Sequence, residues 1–375
     1  MTLRVGKLVY GIIRLLPCLL AVLLASSCSS DVNSDEQKGN KTLVTLTIAA
    51  SGNAATASRA VSGNSSTITR GGVSDSNDKD YYISDLTVLI FDERGYVIGS
   101  TTKQASDLSI ADGKITIKVL TRAAQNCTVY AIANALALND GKTPFAGIAT
   151  LSALTSMVKK YANADDINTE TCLLMMGKTA DNSFDTTNSG SAAISLQRLA
   201  SRIDFNFTVN NDQTTGFPIV VDSYQLCNVP NATFYTHDDM ANPKLPADNI
   251  YQNFSEQKTP VNSWDPNPTV SYVQYVYANP AKDEAHATYL LINAHSAVTG
   301  SVGSTTYTVW NSVFRVKMPD VVKPNMHYTV NITIKGSANT SGEGGSITTY
   351  EAYPYFSGSI LNPWGPNENK DLDLQ

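Results

Sequence analysis

Histidines are the scarcest chemistry-bearing side chains in this 375-residue chain, and there are four: His237, His286, His295 and His327. None stands in HExxH or another metal-ligand spacing. His237, in "THDDM", precedes Asp238 and Asp239, which suits either a metal ligand set or a polar loop cluster. The pairs Asp238/Asp239 and Asp283/Glu284 have the chemistry of a glycosidase dyad, but adjacency in sequence does not set two carboxylates across a cleft. Asp31, Asn33 and Asp35 have the odd-position spacing of a calcium loop, without its glycine at position six or its distal glutamate. There is no GxSxG, no P-loop, and no GxGxxG after a strand; "GEGGS" (342–346) lacks an adjacent helix to hold phosphate. We therefore expect no catalytic residue, no metal and no cofactor. In "NSWDPNPTVSYVQYVYANP" (262–280), Trp264 with Tyr272, Tyr275 and Tyr277 can either stack on a sugar or line a core, and Trp264 is kept as a candidate glycan contact.

Covalent chemistry is better represented near the start. Arg4, Lys7 and Arg14 precede the apolar run Leu15 to Ala25, too short for a comfortable membrane span. Leu23, Leu24, Ala25, Ser26 and Ser27 before Cys28 resemble a bacterial lipobox, with Ala25 where leucine is more usual. This predicts a signal peptide over 1–27 and lipidation of Cys28; an ordinary secretory signal is the alternative. Several acyl chains on that cysteine anchor a protein stably, one only marginally. Cys127, Cys172 and Cys227 remain, an odd number without CxxC spacing. Cys127 reads as a small buried hydrophobe, and one disulfide among the three is allowed.

The bulk composition bounds the partners. Net charge is −6, charged residues make up 16% and hydrophobic ones 42%. The chain can build real cores and has no basic stripe for nucleic acid.

The elements that must position these residues are mostly strands. After an acidic tether, "KTLVTLTIAA" (41–50) alternates, with Val44, Leu46 and Ile48 on one face. A loop of about twenty residues follows, long for a compact domain. It holds Arg59 in "TASRAV" and Arg70 in "TITRGG". Then "YYISDLTVLIFDERGYVIGS" reads as strand, turn, strand, and "GKITIKVL" alternates. "NCTVYAIANAL" (126–136) reads as a strand buried on both faces. "TLSALTSMVKKYA" (150–162) has the period of a short amphipathic helix with Leu151, Leu154 and Met157 inward. From residue 165 onward strands with Gly, Pro, Asn and Asp between them dominate, the signature of sandwiches.

Several segments together resemble the fimbrillins of Bacteroidetes, subunits of type V pili. They are "ISDLTVLIFDERG" (83–95), "CTVYAIANAL" with its Ala133–Asn134 pair, and "LQRLASRIDFNF" with Arg198 and Arg202. "KPNMHYTVNITIKG" (323–336) and the chain end "ILNPWGPNENKDLDLQ" with Trp364 complete the set. The resemblance implies two transthyretin-like β-sandwich domains with few short helices. With it the chain divides into a signal peptide (1–27), a lipidated tether and first strand (28–70), two domains (71–197 and 198–341), and a C-terminal appendage (342–375). It also implies a mechanism. The precursor reaches the outer membrane as a lipoprotein exported through the periplasm. An arginine-specific surface protease removes the anchor and first strand, cutting after Arg70 or alternatively Arg59. A neighbouring subunit's C-terminal strand then fills the groove left by Val44, Leu46 and Ile48. Tyr353, Tyr355 and Ile360 are the candidate donor residues, although Pro354 removes one ladder donor. The expected partners are other pilin subunits, the outer membrane, the protease and a host or bacterial surface ligand. The alternative is an uncleaved lipid-anchored protein, either a pilus anchor or a glycan-binding lipoprotein.

Overall fold

The alternating run after the tether forms strand β1 (Lys41–Ala50). It is the first described element of a computed structural model that describes residues 41–50, 79–80, 82–111, 114–185, 190–210, 219–258, 269–299, 307–318, 321–335, 349–352 and 368–374. Next come β2 (Asp85–Phe91), β3 (Val97–Gln104), β4 (Ser109–Ala111), β5 (Lys114–Arg122) and β6 (Ala124–Ala133). The short helix α1 (Leu151–Thr155) leads to β7 (Val158–Lys160), β8 (Met175–Phe184) and β9 (Ser191–Arg198).

One sheet runs β9-β8-β6-β2-β3-β5, with β4 beside β5, and β1 joins its two ends by pairing with both β9 and β5. The closure is thin at two corners, so it takes the form of a sandwich. β3 meets β5 through Gly99↔Thr121, and β8 meets β9 through Met175↔Arg198 and Met176↔Gln197. Glycine is required at both corners. A Cβ on Gly99 would lie 2.7 Å from the Thr121 Cβ, and one on Gly177 would collide with the Ser195 carbonyl.

Inward residues of its strands fill the closed sheet, among them Val44, Leu46 and Ile48 from β1, Ile115, Ile117 and Val119 from β5, and Val129 and Ala131 from β6. β2 and β6 are buried on their other face as well, where Leu89, Phe91, Tyr130 and Ile132 pack under Leu138, Phe145 and Leu154. Two cores explain why these strands read as nearly continuous apolar runs. At the end of β6, Asn134 takes φ 68° and is fully buried. Its side chain accepts from Ser84 N and donates to the carbonyls of Tyr82 and Leu173. Asparagine tolerates the left-handed backbone and satisfies the loop groups around it.

The helix expected over 150–162 is shorter than its period suggests. Thr150 Oγ1 accepts from Ala153 N at 3.2 Å and starts the helix, and Ser156 ends it after five residues. Pairing of Val158–Lys160 with β13 (Ala232–Phe234) overrides the helical pattern.

The second sandwich starts where the run 191–209 breaks at Leu199, fully buried among the outer core residues. Its strands are β10 (Ala200–Asn210), β11 (Ile219–Cys227), β12 (Val229–Pro230), β14 (Tyr251–Gln252), β15 (Gln257–Lys258) and β16 (Thr269–Tyr277). They are followed by β17 (Tyr289–Thr299), β18 (Tyr307–Lys317), β19 (His327–Lys335), β20 (Thr349–Ala352) and β21 (Glu368–Leu374). Sheet β16-β10-β19-β21 faces sheet β15-β11-β17-β18-β20. Phe205, Phe207, Tyr328 and Ile332 meet Leu226, Leu290, Ile292 and Phe314 between them. The chain is thus mostly β with few short helices, as its composition of strands predicts. The described residues form one compact unit.

Candidate functional site

The alternation of β1 makes it a strand with one apolar face, and its place in the sheet uses both of its edges. Antiparallel to β5 the register runs from Lys41↔Arg122 to Ala49↔Lys114; parallel to β9 it runs from Thr45↔Ser191 to Ala50↔Leu196. Val44, Leu46 and Ile48 are all fully buried. Thr45 N donates to Gly190 O at 3.2 Å, and Thr42 Oγ1 donates to Asp185 O at 2.7 Å. Between β1 and β2 lie residues 51–84, longer than ordinary sheet connections. Withdrawing β1 would open the sheet between β5 and β9. It would unpair two rows of backbone groups and uncover three apolar pockets.

A second constellation lies at the far end of that connection. Lys79 and Asp80 precede β2 in sequence but contact elements of the second sandwich and the 3₁₀ turn at Ala164–Asn168. The Asp80 carboxylate accepts from Arg202 Nη1 at 2.7 Å and from the Tyr275 hydroxyl at 2.6 Å, and its main-chain carbonyl accepts from Arg198 Nε. Lys79 Nζ donates to the carbonyls of Ile167 and Asn168, each at 3.1 Å, and lies 4.1 Å from the Tyr275 ring centroid. Burial lowers the Lys79 amine to about 8, against smaller opposing pulls from Asp80 and Glu170. Burial also pulls on the Arg202 guanidinium, but Asp204 and Asp80 outweigh it and hold its pKa above the ordinary value. Asp204, which also accepts from His327 Nε2 at 2.9 Å, stays below the usual carboxylate range because His327 and Arg202 overcome its burial.

The other chemistry-bearing residues are dispersed. His237 is buried beside Thr233 Oγ1 at 3.0 Å, and burial lowers it to about 4. Asp238 pairs with Lys178, whereas Asp239 bonds Asn242 and the Ala241 amide. Asp283 meets His286 and Glu284 meets Arg315, so neither acidic doublet converges on one point. A surface cleft of about 800 Å³ carries Asp165 and Asp166. Asp165 is tied to Ser255 N and Oγ, and Asp166 closes a capping box with Asn163. Among the described residues no group of three or more His, Cys, Asp and Glu could hold a metal. Cys127, Cys172 and Cys227 are buried free thiols, and burial raises Cys127 to about 11 and Cys172 to about 12.

Of the residues singled out in the sequence, the structure brings Val44, Leu46 and Ile48 together. Cys28, Arg59, Arg70, Trp264, Tyr353, Tyr355 and Ile360 lie outside the described residues. The strands flanking the donor candidates pair within their own chain: β20 is parallel to β18 and β21 parallel to β19. The Lys79–Asp80 constellation is hidden in the sequence because the partners of Asp80, Arg202 and Tyr275, lie 122 and 195 residues away. Arg198, Arg202 and Tyr275 stand out in the sequence, but for other reasons and not as partners of Asp80.

The profile of the family described as "Major fimbrial subunit protein (FimA)" matches residues 36–225, half of the chain, a span that includes β1, the closed sheet and Arg202. No curated protein matches the sequence. Among solved structures, a candidate cell adhesion protein of Parabacteroides distasonis is similar with a TM-score of 0.56 at 16% identity, over 82% of this chain and 94% of that one. Another, from Bacteroides eggerthii, gives 0.51 at 18% identity, over 89% and 98%. At these identities the likeness is one of fold.

Proposed function

This chain belongs to the major fimbrial subunit protein (FimA) family, and from that premise we propose that it is a structural pilus subunit whose first strand is a removable placeholder. Membership places it at the cell surface, in fimbriae assembled with other pilin subunits. The observation that carries the finer reading is the double pairing of β1 combined with the long connection that follows it. A strand that closes a sheet while joined to it by residues 51–84 can be cut free without cutting the body.

In this reading Cys28 carries the lipid that brings the precursor to the outer membrane. An arginine-specific protease cuts after Arg70, or alternatively Arg59. The body then consists of the domains 71–197 and 198–341 with the appendage 342–375. Its slot between β5 and β9 takes a C-terminal strand from a neighbouring copy, with Tyr353, Tyr355 and Ile360 as the candidate plugs. The driving force is large. Each buried aliphatic side chain contributes ~1.5–3 kcal/mol, and each ladder bond ~1 kcal/mol net. The same contacts that hold β1 are available to any strand of matching alternation. The role is structural rather than enzymatic, and it supports adhesion.

The test is reconstitution. Purified precursor treated with an arginine-specific endoproteinase should lose β1 and form a ladder of oligomers, and a chain ending at residue 341 should be cut without forming one. Cleavage with only monomer, in the full chain, sinks the exchange. A second reading is favoured by the pairing of β20 and β21 within their own chain. A subunit complete in itself suits an uncleaved, lipid-held anchor, or a glycan-binding lipoprotein using Trp264. That protein would resist the same protease at Arg59 and Arg70.

A further inference from the structure

Between Ala50 and β2 the sequence holds three basic residues: Arg59, Arg70 and Lys79. A protease selecting basic residues therefore meets a third cutting point nine residues after Arg70. The structure treats that point in a specific way. Lys79 donates its ammonium to main-chain carbonyls of the Ala164–Asn168 turn and lies over the Tyr275 ring. Asp80, the residue on the other side of the bond, is 3% exposed and held by Arg202 and Tyr275 through its carboxylate and by Arg198 through its carbonyl.

We propose that Lys79–Asp80 is a processing stop: an anchor that withholds its own peptide bond from basic-residue-specific proteases and fixes the N-terminal limit of the mature body. Proteolysis needs an extended segment around the scissile bond and a free basic side chain to enter the specificity pocket. Here the side chain is engaged and the following residue is pinned, so cutting requires local opening, and its rate tracks the open population. The side chains of this dipeptide reach β10, β16 and the Ala164–Asn168 turn, and its main chain is held by Arg198 at the end of β9. An arm cut upstream stays joined at a point independent of β1. The inference gives a regulation to the processing proposed above and rests on that reading for its biological setting, although the anchor itself can be tested without it.

Lys79 is the only lysine between Lys41 and Lys103. A lysine-specific endoproteinase therefore reports on it alone in this segment, through products that begin at Asp80. The full chain, Tyr275→Phe and Arg202→Met are digested natively and again unfolded in denaturant, which leaves the Lys79–Asp80 sequence unchanged and corrects for intrinsic cutting preference. The native chain should yield the Asp80 terminus at least about a hundredfold more slowly than the unfolded one. Tyr275→Phe should speed native cutting about tenfold, the loss of one hydrogen bond to a buried charge, and Arg202→Met by more. Leu290→Ala, a core variant far from the anchor in sequence, controls for global stability and should speed it less than Tyr275→Phe at equal residual stability. Equal native and unfolded rates, or no effect of Tyr275→Phe beyond that of the core variant, overturn the anchor. A parallel arginine-specific digest reads Arg59 and Arg70; failure there overturns the processing reading and leaves the lysine result standing.

Discussion

The first strand and the dipeptide that ends its connection are held by opposite kinds of contact. β1 is held by backbone ladders on both edges and by three buried aliphatic side chains. Lys79 and Asp80 are held by a guanidinium, a phenol and specific carbonyls, with little apolar burial. Ladders and aliphatic pockets accept any strand of the right period, whereas a carboxylate between Arg202 and Tyr275 accepts little else. The lesson is that exchangeability follows from the chemistry of the contact, not from its strength. Under the proposed function, the strongly held element is the replaceable one.

The comparison breaks most visibly if β1 is absent. Its side chains and ladder together are worth on the order of 10 kcal/mol, comparable to the whole stability of a domain. A chain starting at residue 71 should show lost hydrogen-exchange protection in β5 and β9, and a synthetic peptide of residues 41–50 should restore it. Next in size, Leu46→Ala should cost about 2–5 kcal/mol in urea unfolding. Leu43→Ala on the same strand, 45% exposed, should lie within about 0.5 kcal/mol of wild type. Asp80→Ala, which takes one partner from Arg202 and one from Tyr275 while leaving Arg202 on Asp204, should cost about 1–3 kcal/mol, with β5 and β9 protection unchanged.

The smallest effect concerns Lys79, whose burial opposes its charge. Its folded pKa, about 8, lies below the ordinary 10.5. The native state therefore sheds this proton before the unfolded state does, and stability from this group rises as pH increases from about 8 to 10.5. Lys79→Met should keep stability at pH 7 and flatten that part of the profile in pH-dependent urea melts. Asp80→Ala should lose stability across the same range.

Much of the first region was legible in the sequence. Val44, Leu46 and Ile48 alternate in an uninterrupted run, and period two alone puts them on one face. The double burial of β6 is legible for the opposite reason, a nearly continuous apolar run in place of alternation. What the pattern did not contain was that β1 closes the sheet, since this depends on pairing with strands about 70 and 145 residues away. The helical period over 150–162 yields only a five-residue helix because Val158–Lys160 answers to β13, far along the chain. The anchor was invisible in "DKDYYIS", where Lys79 and Asp80 look like a solvated charge pair. Nothing local marks Asp80 for burial; its partners Arg202 and Tyr275 arrive only with the fold.

The most direct test of the central claim is the N-terminus of the subunit recovered from assembled surface fibres. Mass spectrometry and N-terminal sequencing should find chains that begin at Gly71, or at Ala60 for the alternative cut, with residues 41–50 gone from every subunit of the shaft. Shaft subunits that still begin at an acylated Cys28 and retain Lys41–Ala50 would contradict it.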